Sequence, residues 1–185
     1  MRASILALFF LSSLIFWSCE NDIEKIKIIT TKDNAPSESA ADAILIFSDS
    51  AKVKVKVIAP RMDRHTGNAN YIELTEGVEI EFYNDQQVTS NLTADYAIHF
   101  EEQGKMEAKG NVILINELGE KLNTEHLIWD EKKKKIYSYE FVKITTKDEI
   151  IMGEGFESNQ SFTKFKIKKI KGTISIEKAE LEDNE

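Results

Sequence analysis

Residues 51–57 read AKVKVKV. Val53, Val55 and Val57 alternate with Lys52, Lys54 and Lys56, so an extended chain here has one apolar and one cationic face, the pattern of a half-buried β-strand. The period of two recurs in GVEIEFY (77–83), where Val78, Ile80 and Phe82 oppose Glu79 and Glu81. It recurs again in LTADYAIHF (92–100), which sets Leu92, Ala94, Tyr96, Ile98 and Phe100 on one face and leaves His99 on the polar one. Working outward, NVILIN (111–116), EKLNTEHLIWD (120–130), KKIYSYEFVKIT (134–145), EIIMG (149–153), FTKFKIKKI (162–170) and GTISIEK (172–178) are all rich in β-branched and aromatic residues.

Turn-forming clusters break these runs: YNDQQ (83–87), EEQGK (101–105), NELGE (116–120), DEKKKK (130–135), TKDE (146–149) and ESNQS (157–161). Short strands at regular spacing with such breaks predict an all-β domain. Pro36 and Pro60 are expected outside strand interiors, since each lacks the N–H a ladder needs. A faint repeat at a spacing of 30 pairs Leu92 with Leu122, Ala94 with Thr124, Ile98 with Ile128, Val112 with Val142 and Leu114 with Ile144. Each unit would be one long hairpin, and stacked hairpins build an elongated β-solenoid or jelly roll with a continuous interior face.

The N-terminus sets the compartment. Arg2 is followed by fifteen residues, Ala3–Trp17, apolar except for three serines, and then by Ser18 and Cys19, the only cysteine. That core has the length of a signal peptide and is short for a membrane span. A small residue and then cysteine at its end resembles a bacterial lipoprotein signal, in which the chain is cut before the cysteine and the thiol is lipidated. The expected organisation is a signal peptide at 1–18, a lipidated Cys19 and flexible tether at 19–42, a β-domain at 43–178, and an acidic tail at 179–185.

Chemistry is scarce. A net charge of −8 argues against nucleic acid as a partner, because phosphate neutralisation needs a surplus of Lys and Arg. His65, His99 and His126 have no metal-ligand spacing and no second cysteine, so no metal or cofactor is expected. His126 falls on the face of Leu122, Thr124 and Ile128. GEG (153–155) reads as a bulge or tight turn and lacks the Lys-Ser or Lys-Thr of a phosphate loop. No nucleophile elbow and no pair of carboxylates across a cleft is evident; no catalytic residue and no enzymatic activity are expected.

Several phrases together resemble the LptC family, the periplasmic component of the lipopolysaccharide exporter: APRM (59–62), YIELTEGVEIEFYND (71–85), LTADYAIHFEEQGKMEAKGNVIL (92–114), GEKLNTEHLIWDEKKKKIYS (119–138) and IIMGEGFESNQSFTKFKIKKIKGTISI (150–176). The resemblance implies an elongated, twisted β-jelly roll with a V-shaped cross-section, held at the periplasmic face of the inner membrane; the lipidated Cys19 read above makes that anchor a lipid, where many members of the family use a transmembrane helix. It implies an apolar groove for the lipid A acyl chains of lipopolysaccharide, an LptB/F/G-type ABC transporter as donor, and an LptA-type bridge protein as acceptor. Groove candidates are Leu92, Ala94, Tyr96, Ile98, Val112, Leu114, Leu122, Thr124, His126, Ile128, Val142 and Ile144. The docking edges carried over are the strand of Val53, Val55 and Val57 toward the transporter, and that of Ile174 and Ile176 toward the acceptor. A structural or glycan-binding surface lipoprotein is the alternative reading.

Overall fold

The structure, a computed structural model, describes residues 35–67 and 69–176. The signal segment, Cys19, most of the tether and the acidic tail lie outside the described residues. Eleven antiparallel strands form one sheet: β1 (Glu38–Asp49), β2 (Lys52–His65), β3 (Tyr71–Thr75), β4 (Val78–Asn84), β5 (Gln87–Ala94), β6 (Tyr96–Phe100), β7 (Lys105–Asn116), β8 (Lys121–Asp130), β9 (Lys135–Thr145), β10 (Glu149–Asn159) and β11 (Phe165–Ser175). There is no helix among the described residues. The all-β reading holds, and the architecture is consistent with an elongated jelly roll.

The domain begins earlier than 43. Residues 38–42, read as tether, belong to β1, which pairs with β2 from Glu38↔Arg64 to Asp49↔Lys52. An edge strand covered on one side needs little apolar alternation, and Ser39, Ala40 and Ala41 supply none.

A crease runs across the sheet. The β3–β4 strand breaks at Glu76–Gly77 and the β5–β6 strand at Asp95, while β7 bulges at Gly110–Asn111, β8 between Thr124 and Ile128, and β10 around Gly155. Glu76, Gly77, Gly110, Asn111 and Gly155 all have positive φ, the left-handed backbone that bulges use. Hydrogen bonds along the crease tie it together: the Gly77 N–H donates to Asp95 O (3.0 Å) and the Asp95 N–H to Gly110 O (3.1 Å). A Cβ on Gly110 would lie 2.8 Å from Asp95 Oδ2, the acceptor of the Asn111 Nδ2–H bond (2.6 Å). Pro60 lies inside β2, contrary to expectation, but where pairing to β1 skips a residue beside Asp42 and pairing to β4 gives way to β3. A proline is tolerated at such a gap because no ladder acceptor awaits its missing N–H.

The two halves of the sheet on either side of the crease face each other. In one half an apolar line crosses nine strands through successive partners Leu45, Val57, Ile80, Leu92, Leu114, Leu122, Ile144, Ile151 and Thr173. Eight strand spacings of about 4.8 Å make it roughly 38 Å long. In the other half the line runs Arg64, Ile72, His99, Met106, Trp129, Ile136, Ser158 and Phe165. Phe82 in the first half meets Trp129 in the second, ring centroids 5.8 Å apart. One core cluster joins them. Leu92, Leu114, Leu122 and Ile144 thus lie in one row, and burying each such side chain contributes about 1.5–3 kcal/mol.

Candidate functional site

The candidate site is the interior between the two half-sheets. Leu92, Ala94, Val112, Leu114, Leu122, Thr124, Val142 and Ile144 all point inward and are buried. Tyr96, Ile98, His126 and Ile128 point outward, although Ile128 is itself buried. The strand pattern changes phase at Asp95 and again at the β8 bulge, because one residue protrudes at the crease and every later side chain swaps face. Tyr96 therefore pairs with Lys109 and Ile98 with Glu107 on the outer face, and the Tyr96 hydroxyl donates to Glu73 Oε1 (2.8 Å). Burial and the Glu73 carboxylate hold that phenol protonated well above its usual range. His126 sits 3.2 Å from Glu107 on the outer face, and Ile128 shares a row with Glu107 and Tyr137.

The same phase change turns His99 inward. Expected at the surface, it is 6% exposed, and neither ring nitrogen has a hydrogen-bond partner among the described residues. Phe47 meets it edge-on at 5.1 Å. Beneath β1, it lines a cavity of about 590 Å³ with Leu45, Phe47, Met62, Arg64 and Ile72. Burial pushes its pKa down and Arg64 adds to that, against the smaller opposing pull of Glu131 and Glu101. Above pH about 6.5 the ring is neutral in both folded and unfolded chains and adds no pH dependence to stability. Below that, the unfolded chain takes up a proton that the folded one resists, so stability falls with pH. Urea unfolding at pH 7.5 and 5.5 should show this loss, and a His99→Phe variant should lose clearly less; equal losses contradict the burial.

Aromatic residues that alternation did not assign to the interior fill it: Phe47, Trp129, Phe156, Phe162 and Phe165. A cavity of about 540 Å³ opens between the tips of the two halves, lined by Phe47, Tyr83 and Trp129 with Lys54, Lys134 and Gln160. The tips are latched. The Ser90 hydroxyl donates to Gln160 O (2.7 Å) and Asn116 Nδ2 to Phe162 O (2.9 Å), both across the opening; Lys134 pairs with Asp49 at 3.2 Å. Phe162, in the β10–β11 loop with φ of 50°, is fully buried between Phe156 and Phe165. The signal missed was SFTKF (161–165), whose first Phe sits in a turn where exposure is the usual expectation.

Among the described residues the sheet has two free margins: β1 pairs only with β2, and β11 only with β10. Val53, Val55 and Val57 are not at a margin: β2 is bonded on both sides, and Val55 and Val57 are fully buried. The edge at that end is β1, which exposes Ile44 and Ile46. Ile174 lies on β11, and Ile176 follows its end, bonded through its N–H to Asp148 O at 2.8 Å. Ile170, paired with Gly153 on the inner face, is 64% exposed, so the interior is open at the β11 end.

No cluster of three or more metal-ligating side chains occurs among the described residues, and no described helix is long and apolar enough to cross a membrane. A family model described as LptC, lipopolysaccharide-assembly, LptC-related, matches residues 4–175. A comparison with curated proteins finds no match.

Proposed function

Because the chain belongs to the LptC-related family of lipopolysaccharide-assembly proteins, a family of transport components rather than enzymes, we propose that its interior carries the acyl chains of lipopolysaccharide from strand β1 to strand β11. The observation that carries this is the line of strand partners that stays apolar from Leu45 on the β1 edge to Ile151 on β10, the neighbour of the β11 edge. Each methylene exposed to water costs about 0.8 kcal/mol, so a chain of a dozen carbons costs roughly 10. Lipid crossing an aqueous space therefore needs apolar cover without a break, and the row from Leu45 to Ile151 supplies it.

Free edges are normally a liability and serve here as docking strands. An LptB/F/G-type ABC transporter would add its strand at β1, and an LptA-type bridge protein at β11. Energy comes from the transporter's nucleotide. Cys19, outside the described residues, would carry the lipid that holds the domain at the periplasmic face of the inner membrane; two or more acyl chains anchor stably where one does not. The interior is packed in the resting chain, so lipid enters by parting the two tips, and the Gln160–Lys164 loop is the element that must lift. A photoreactive residue on the interior face, compared with one on the outer face, tests the reading: lipid should be captured from inside only.

A further inference from the structure

Charge is unevenly placed along the chain. Residues 36–130 carry seventeen acids and eight cations, whereas residues 131–171 carry eleven lysines and six acids. Five of those lysines, Lys133, Lys135, Lys164, Lys166 and Lys168, line two concavities on the outer side of the half-sheet that ends in the Glu131–Lys134 turn. There a concavity of about 270 Å³ is lined by Lys105, Lys133, Lys135, Tyr137, Tyr139 and Lys168, with Glu157 at its side. The Tyr137 and Tyr139 rings meet edge to face at 5.5 Å. Tyr139 is 65% exposed, and the Lys168 ammonium sits 5.4 Å over its ring. Lys133 and Lys135 are paired with Asp130 and Glu157. Lys105 and Lys168 have no ion-pair partner among the described residues. A second concavity, about 860 Å³, continues from Lys133–Lys135 along Lys164 and Lys166 to Asn159 and Thr163, beside the loop that closes the opening.

An exposed aromatic face offers a flat apolar surface on which the C–H face of a sugar ring rests, and flanking ammonium groups neutralise phosphate or carboxylate. A carboxylate such as Glu157 accepts hydrogen bonds from hydroxyls. We propose that this face is a saccharide subsite: it holds the anionic, phosphate-bearing sugars of the lipid whose acyl chains lie inside. The proposal rests on the carrier reading above and adds where the head group goes. Anionic sugars cannot follow the chains into a largely apolar interior, because burying an unpaired charge there is prohibitive. A lipid emerging past the 160–164 loop meets Lys164 and Lys166 first and the tyrosine pair next.

The probe is fully deacylated lipopolysaccharide from the host, which keeps its phosphates and cannot enter the interior, titrated into the full chain by calorimetry. Wild-type protein should bind it, and phosphatase treatment of the sugar should remove most of the affinity. Tyr139→Ala and Lys168→Ala should each weaken binding by about tenfold, while lipid capture from the interior is unchanged. No binding by wild type, or variants that bind equally well, overturns the subsite even when the interior captures lipid. Equal affinity for inorganic phosphate overturns the saccharide assignment and leaves a general anion patch. Failure of interior capture instead overturns the carrier reading itself.

Discussion

Phe162→Ala should lower the unfolding free energy by about 3–5 kcal/mol, the usual cost of emptying a buried phenylalanine site. Phe162 is fully enclosed and packs on Phe156 and Phe165 at 5.8 and 5.3 Å. Alanine keeps the left-handed backbone strain of the position, so the loss reports packing rather than relief at φ 50°. The functional consequence runs the other way. With the ring gone, the Gln160–Lys164 loop is held across the opening chiefly through its two carbonyls, by Ser90 and Asn116, and lipid entry should quicken. Urea unfolding and the rate of interior lipid capture check the two halves of this result. Unchanged stability would contradict the packing, and slower capture in a folded variant would contradict the loop as the entrance.

Gly153→Val should detach β11. A Cβ at Gly153 would stand 2.4 Å from Lys169 O and 2.6 Å from Ile167 Cγ2, and a backbone oxygen cannot swing aside as a side-chain tip can. Among the described residues β11 is bonded to β10 alone, so it yields before the interior does. Overpacking and lost ladder bonds together should cost about 3 kcal/mol or more. Hydrogen exchange should lose protection over Phe165–Ser175 while β7–β9 keep theirs, and co-purification with the bridge protein should disappear. A β11 that stays protected contradicts the contact, and retained co-purification with β11 detached contradicts β11 as the docking strand.

The strict alternation of AKVKVKV and GVEIEFY made the strands legible, and the thirty-residue repeat placed Leu92, Leu114, Leu122 and Ile144 together. Alternation is local, however, and carries no information about where a strand bends. At Asp95 and at Glu125–His126 the chain crosses the crease, and the phase flips without any change in composition. Alternation alone therefore assigns Tyr96, Ile98, His126 and Ile128 to the interior and His99 to the surface: one physical event, repeated thirty residues apart. Gly110 and Gly155 mark the same crease, but a glycine in a strand signals a bulge without giving its direction. The edge at β1 was hidden because its first half is Ser- and Ala-rich, and the loop of Phe162 because its burial depends on a partner sheet more than forty residues away.

The measurement that bears most directly on the carrier claim is photo-crosslinking in cells with a photoreactive phenylalanine analogue at Phe82, set against the same analogue at Tyr96. Phe82 is buried against Trp129 between the half-sheets; Tyr96 faces outward toward Glu73. The account predicts a lipopolysaccharide adduct at Phe82 that requires ATP and the transporter, and none at Tyr96. A folded protein that captures no lipid at Phe82, or captures it equally at Tyr96, would contradict transport through the interior.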